Sequence, residues 1–271
     1  MRLIAPEVAG RTETGRADAA GRKQATRRVE IAKYVRGEWA DDEDVVVREV
    51  SATIRLNGRT AAAMPATPEF LDELAAGHLY CEGMIRGPMD IDRIDLDLKA
   101  HGAVCIDVRS SSVLQSLPRP GAKPEPGLEP GSALKPETRG FAVSPERVDE
   151  LMAVIRERSG LFRRTGGAHS AALAGESGLI VFREDIGRHN AIDKVIGYCL
   201  LHASNAERTM LATSGRVFGK TVAKAARLGV RLLISPSAPT DQAIDMATYF
   251  GLTLVGFARD GRFNVYSGRK L

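Results

Sequence analysis

Hydrophobic and polar residues alternate strictly over residues 50 to 56, with Val50, Ala52, Ile54 and Leu56 on one face and Ser51, Thr53 and Arg55 on the other. A period of two marks a strand with one face on a core. Asn57-Gly58 follows, a pair that readily takes the two left-handed conformations of a type I′ turn. The spacing therefore predicts an antiparallel hairpin whose return strand includes Arg59 to Met64. The period then changes. Thr67-Pro68 reads as a helix start, threonine capping free amides and proline taking a first position where no hydrogen bond is lost. Leu71, Leu74, Ala75 and Leu79 repeat at helical spacing, and Gly83 is the stop. From Ile91 to Val108 short alternating runs return, Val104, Ile106 and Val108 standing opposite Cys105 and Asp107. Residues 29–112 read as a small α+β domain.

Residues 116 to 140 hold six of the thirteen prolines together with Gly121, Gly127, Gly131 and Gly140. That composition sustains neither ladder nor helix, so residues 113–141 are predicted to be an exposed loop between two regions. Beyond it, Ser144-Pro145-Glu146 opens a helix with the apolar stripe Val148, Leu151, Met152 and Ile155. Strands and helices then alternate: strand 179–183, helix 190–203, strand 208–213, helix 218–228, strand 230–235, helix 240–250 and strand 252–258, with a last strand, 262–266, expected to pair antiparallel. Leu179-Ile180-Val181-Phe182 and Leu232-Leu233-Ile234 are apolar at consecutive positions, the pattern of strands covered on both faces. The fold class is α/β: residues 142–271 form a three-layer α/β/α domain on a parallel sheet, beside the smaller N-terminal domain.

Composition changes this picture little. The chain has 271 residues, 44% hydrophobic and 27% charged, which is ordinary for a folded protein. The formal charge of +4 is that of residues 1–28, read as a basic flexible tail; the remainder balances to zero. This tail lacks aromatic residues and dense basic runs, so no nucleic-acid role is inferred. No apolar run of about 18 residues is present, and the apolar stretch that a twin-arginine leader needs after Arg27-Arg28 is missing. A cytoplasmic protein with no membrane partner is expected.

The carboxyl ends of parallel strands open onto one edge, where helix N-termini favour anions. Four predicted strand ends run into polar clusters there: EDIGRHN, TSGR, SPSAP and FARDGR. The candidate binding residues are Glu184, Asp185, Arg188, His189, Asn190 and Lys194 from the first cluster, and Ser214, Gly215 and Arg216 from the second. Thr165, Gly166, Gly167 and His169 precede them, and Phe257, Ala258, Arg259, Asp260, Gly261 and Arg262 close the set. Guanidinium groups present planar forks of donors suited to phosphate, so a diphosphate-bearing ligand fits this inventory. Each residue also has a plainer reading: glycines for tight turns, carboxylates in ion pairs, histidines as structural donors.

Cys81, Cys105 and Cys199 lie far apart without CxxC spacing, so neither a disulfide framework nor a zinc site is expected. The HxE and PCxxC strings of zinc deaminases are missing as well. Cys199 falls on the apolar stripe of helix 190–203 and reads as a core residue. No catalytic residue is assigned.

TGGAHSAAL at 165–173, EDIGRHNAIDKVIG at 184–197, SGR at 214–216 and GFARDGRFNVYSG at 256–268 together resemble the FdhD/NarQ family in order and spacing. RLNGRTAAAMPATPEFLDELAAGHLYCEGMI at 55–85 resembles its N-terminal half. The resemblance implies a C-terminal domain similar to the cytidine deaminase fold. It also implies an accessory role for formate dehydrogenase, in which sulfur passes from a cysteine desulfurase to the molybdenum bis(molybdopterin guanine dinucleotide) cofactor before insertion into the apoprotein. The cofactor, held as cargo, would lie partly on Phe257 to Arg262. The family carries persulfide on a cysteine of a CGxCG motif ahead of TGG. Here that stretch has no cysteine, and the family's Ser-Ser-Cys-like position meets Ser110-Ser111-Ser112-Val113. Whether the chain is itself a sulfurtransferase or a cofactor-binding chaperone without sulfur chemistry stays open. A third reading, an enzyme acting on guanine nucleotides, lacks a G-x-x-x-x-G-K-[ST] loop or a nucleophile to support it. The sequence does not decide whether the chain is a homodimer.

Overall fold

A computed structural model describes residues 25–98, 103–112, 143–204, 206, 208–268 and 271. The tail as far as residue 24 and the proline-rich loop 113–141 lie outside the described residues. The first element is a ribbon of β1 (Thr26–Val35) and β2 (Glu38–Val47), turning at Arg36-Gly37 with positive φ at both. Arg27 and Arg28, assigned by sequence to the basic tail, thus lie in a strand, where Arg28 pairs with Glu43 across the ribbon at 3.2 Å. The ribbon is exposed on both faces along most of its length and carries Tyr34, Val35 and Trp39 uncovered at its tip. Its base is anchored: Ala25 and Val47 pack on Leu161 and Ala168.

The hairpin of β3 (Val50–Leu56) and β4 (Arg59–Ala66) forms as the alternation requires, with positive φ at Asn57 and Gly58. Val50, Ala52, Ile54 and Leu56 are all buried. Helix α1 (Leu71–Cys81) begins three residues later than the Thr67-Pro68 signal implied, after a left-handed Phe70. Thr67 does not cap it. Its amide and hydroxyl both donate to Asp185, so a tertiary partner takes the groups a local cap would have used. Strands β5 (Arg93–Leu98) and β6 (Ala103–Arg109) complete a four-stranded sheet of order β4-β3-β6-β5. Ser110, Ser111 and Ser112 are held by Asn57, Asp92 and Asp90 respectively.

In the second half α2 (Pro145–Arg158) buries the expected Val148, Leu151, Met152 and Ile155. The following elements are α3 (Gly160–Thr165), β7 (His169–Gly175), β8 (Gly178–Asp185), α4 (Arg188–Leu201), β9 (Met210–Thr213), α5 (Gly219–Leu228), β10 (Leu232–Ile234), α6 (Asp241–Phe250), β11 (Thr253–Arg259) and β12 (Arg262–Ser267). The sheet order is β12-β11-β10-β9-β7-β8. It is mixed rather than parallel. Strand β7, absent from the sequence reading, lies between β8 and β9 and is antiparallel to both, and the parallel pairings of this sheet among the described residues are β9 with β10 and β10 with β11. Because β7 reverses the direction twice, β8 still points the same way as β9, so the predicted edge survives. The reversal also brings His169, the first residue of β7, to that edge.

Helix α2 covers one face of this sheet and α4, α5 and α6 the other, which makes three layers. Helix α1 then joins the N-terminal sheet to α4. Leu71, Leu74, Ala75 and Leu79 face the sheet, while Ala76 enters the core around α4. The crossing is backbone to backbone. A Cβ at Gly77 would sit 1.9 Å from the Asp193 carbonyl oxygen, and one at Gly197 would sit 1.8 Å from that of Glu73. Arg183 seals the flank with two bonds to Glu73, at 2.6 and 2.7 Å.

Candidate functional site

The edge formed by the ends of β8, β9, β10 and β11 gathers the candidate residues in two depths. The lower level is closed. The Asp185 carboxylate is fully buried and accepts from the Thr67 amide at 3.1 Å, the Thr67 hydroxyl at 3.0 Å, the Gly187 amide at 2.9 Å and Asn190 Nδ2 at 2.9 Å. Lys194, also fully buried, lies 2.6 Å from its Oδ2 and donates to the Thr67 hydroxyl at 2.6 Å. Asn190 reaches the Pro65 carbonyl as well. A buried ion pair needs its remaining lone pairs and protons satisfied, and the β4–α1 joint supplies those partners. Lys194, Asp185 and Asn190 therefore lie beneath the edge and hold the two halves of the chain together. This corrects the reading in which Lys194 reaches the rim.

Glu184 also turns inward. Its two carboxylate oxygens accept from the Leu161 and Phe162 amides, each at 2.9 Å, and so satisfy the otherwise free donors at the start of α3. Thr165 and Gly166 close the same helix: Thr165 Oγ1 donates to the Leu161 carbonyl at 2.8 Å and accepts from the Gly167 amide at 3.1 Å, while Gly166 takes φ +65°. Here the turn reading of the glycine pair applies. Gly167 lies open on the surface against Val47, with room for a Cβ only 3.0 Å from that side chain.

The upper level is open and basic. Arg188 opens α4 and crosses the loop after β9 so closely that a Cβ at Gly215 would lie 2.9 Å from its Cδ. Glycine at 215 is what permits that approach. The Arg188 and Arg216 guanidinium carbons stand 4.6 and 5.6 Å from the centroid of the Phe218 ring, each held by the ring's negative face. Sequence reasoning noted Phe218 only as a helix boundary; its role as a platform depends on a loop path that no local pattern encodes. Arg188 Nε is buried without a partner among the described residues. Beside it His189 has an equally enclosed and unpartnered Nε2. Burial first, then the charges of Lys224 and Arg188, push its pKa down to about 4, so the imidazole is neutral. His169 Nδ1 lies 3.3 Å from Ser214 Oγ, and burial together with Arg188 lowers its pKa too.

Ser235, unmarked individually by the sequence, connects this loop to the far side of the edge. Its hydroxyl donates to the Gly215 carbonyl at 2.7 Å and accepts from the Ser237 amide at 3.0 Å, while its carbonyl accepts from Ala258. Phe257 and Asp260 both have positive φ, as does Gly261, and the chain turns so that Arg259 and Arg262 face each other as a cross-strand pair. Both are exposed. Like charges directly opposite in a ladder repel, and an anion between them relieves the repulsion. Ala258, by contrast, is buried beneath the turn. Residues 257–262 thus contribute Arg259, Asp260, Gly261 and Arg262 to the surface and Phe257 at its margin, where its ring is 6.5 Å from Tyr266.

The three cysteines lie on α1, β6 and α4, none of them at the strand ends that form this edge. Cys105, 6% exposed in β6, is 3.5 Å from Asp107, and Cys199 is on the buried face of α4. Burial raises the pKa of both, Cys199 to about 12. Cys81, at the end of α1, is half-buried, and burial with the Asp193 carboxylate pushes its thiol well up. Among the described residues no helix is long and apolar enough to cross a membrane.

Comparison with known proteins agrees with this architecture. Residues 47–271 match the model of the FdhD/NarQ family. The sulfur carrier protein FdhD of Geobacillus kaustophilus is 38% identical over 258 residues, covering 90% of this chain and 95% of that protein. The protein of the same name from Bacillus subtilis is 36% identical over 253 residues, covering 88% and 94%. A crystal structure from Desulfotalea psychrophila, described as that of a formate dehydrogenase accessory protein, superposes with a TM-score of 0.72 at 26% identity, covering 90% of this chain and 98% of that one. With the family model spanning every element from β3 onward, the chain belongs to the FdhD/NarQ family.

Proposed function

We propose that this protein serves formate dehydrogenase maturation in the cytoplasm by holding the molybdenum bis(molybdopterin guanine dinucleotide) cofactor on the basic edge while sulfur is delivered to it. The observation that carries the reading is the set of four guanidinium groups on one edge. Arg188 and Arg216 flank Phe218, and Arg259 and Arg262 oppose one another across a two-residue turn. Two diphosphates, one from each guanine dinucleotide, match two such arginine pairs in charge. The cofactor is cargo, and a cysteine desulfurase and the dehydrogenase apoprotein are the partners on either side of the transfer. GDP is the simplest probe. Arg216→Ala and Arg259→Ala are expected each to weaken its binding by more than about 1 kcal/mol, the scale of a charge-assisted hydrogen bond, measured by titration calorimetry. Unchanged affinity in both variants would remove the site.

The cysteine environments favour a second reading of the sulfur step. Sulfur transfer needs an accessible thiolate, whereas all three thiols here are shielded and raised in pKa. In this reading the chain is a holder of the cofactor, and the desulfurase or another subunit delivers sulfur directly. Intact-protein mass after incubation with a cysteine desulfurase and cysteine decides the matter. The expected result is no reducible adduct of about 32 Da, the mass of one sulfur. An adduct lost in Cys81→Ser would return the persulfide to this chain.

A further inference from the structure

We infer that His169 is a positioning residue of the basic edge, its imidazole fixed by Ser214 as the tautomer with its proton on Nε2 and that N–H held out to an anionic oxygen of the bound cofactor. The inference rests on the cofactor reading of the edge and adds a neutral, directional donor to it.

The tautomer follows from counting donors around one hydroxyl. Ser214 Oγ accepts the Ser170 amide proton at 2.9 Å and lies 3.3 Å from His169 Nδ1. A serine hydroxyl has one proton to give and two lone pairs to fill. The amide occupies one lone pair, and the hydroxyl proton then requires an acceptor. His169 Nδ1 is the acceptor that the described contacts of Ser214 Oγ provide. Were Nδ1 instead protonated, it would fill the second lone pair and leave the hydroxyl proton without a partner among the described residues. Ser170 does not compete. Its own hydroxyl donates to Ser159 Oγ at 2.7 Å, because the Ser159 proton goes to the Ile155 carbonyl. Ser214 is held in place from the backbone as well, its amide donating to the Ser170 carbonyl at 2.9 Å.

A neutral imidazole that accepts at Nδ1 donates at Nε2. Burial and the neighbouring Arg188 charge keep His169 neutral. Its Nε2, unlike that of His189, is not an enclosed atom. The residue starts β7 and pairs with Asp185, which fixes its place at the edge between Arg188 and the loop after β9. The arginines there supply charge. His169 supplies a bond of defined direction without adding to the repulsion among them.

The test has two arms. Nitrogen-15 spectra of histidine-labelled free protein at neutral pH should show His169 with its proton on Nε2, and Ser214→Ala should return it to a mixture of tautomers. With GDP as the probe, His169→Gln, whose amide nitrogen falls near the position of Nε2, should bind within about three-fold of the parent, whereas His169→Asn, which mimics Nδ1 instead, should bind about ten-fold more weakly. A proton on Nδ1 in the free protein, or equal affinities in the Gln and Asn variants, overturns the inference. Failure of the arginine variants to change GDP binding would instead remove the site itself, so the two failures are distinguishable.

Discussion

Gly197→Ala is expected to destabilise the protein by about 3 kcal/mol or more, the upper range for overpacking a rigid core, measured as the shift of a urea transition. The sign is the informative part. In an ordinary helix interior glycine to alanine stabilises by up to about 1 kcal/mol through backbone entropy. At 197 the new Cβ would lie 1.8 Å from the carbonyl oxygen of Glu73, well inside van der Waals contact, and the obstacle is backbone rather than a flexible side chain. Helices α1 and α4 would have to move apart, opening the interface between the two halves. Gly77→Ala should behave alike, its Cβ meeting the Asp193 carbonyl at 1.9 Å. Gly160→Ala is the control, because nothing lies within 4 Å of a Cβ there, and it should be neutral or slightly stabilising. A loss below about 1 kcal/mol in both crossing variants would mean that the helices have slack the packing does not show.

Lys194→Met should cost about 3–5 kcal/mol, the usual scale when one partner of a buried pair is removed. Asp185 would remain as a carboxylate with no cation, although Thr67, Gly187 and Asn190 still donate to it. The double variant Asp185→Asn, Lys194→Met should recover a large part of the loss, since a neutral amide carries a smaller burial penalty than an unpaired charge. If the single variant unfolds at the same urea concentration as the parent, the pair contributes nothing and the joint is held by packing alone. The expected structural consequence is local: without Lys194 the Thr67 hydroxyl loses a donor, and the β4–α1 joint loosens above α4.

The elements legible in the sequence are those with a strong local signature. Asn57-Gly58 with its flanking alternation specified the β3–β4 hairpin, α2 starts at the Pro145 of its Ser144-Pro145 signal, and α5 and α6 each begin one residue inside the ranges 218–228 and 240–250 and end with them. Strand β7 was not legible because His169 to Gly175 is mostly alanine, serine and glycine, residues with little strand preference. Those small side chains suit a central strand pressed by helices on both faces, a requirement that exists only once the fold does. The same holds for α3, six residues long, and for Thr67, whose capping signal was genuine but was outcompeted by Asp185 from 118 residues away. At the candidate site, the clustering on one edge was readable from the strand-end motifs. The division into a closed lower level of Asp185, Asn190 and Lys194 and an open level of arginines was not, because burial of a charge depends on partners distant in sequence. Gly77 and Gly197 lie inside the stretches that resemble the family, but nothing local in either stretch marks them as the crossing point of two helices.

The exposed ribbon determines how these stability changes must be observed. The chain has a single tryptophan, and Trp39 stands 71% exposed at the ribbon tip beside Tyr34, their ring centroids 5.1 Å apart. Its emission is therefore that of a solvated indole in the native protein as well as in the unfolded chain. Intrinsic fluorescence reports on the tip of β1 and β2 and is nearly silent about the helix crossing or the buried ion pair. Far-ultraviolet ellipticity, to which α1, α2 and α4 contribute, is the signal that follows the core, and a tryptophan change without an ellipticity change marks an event on the ribbon alone.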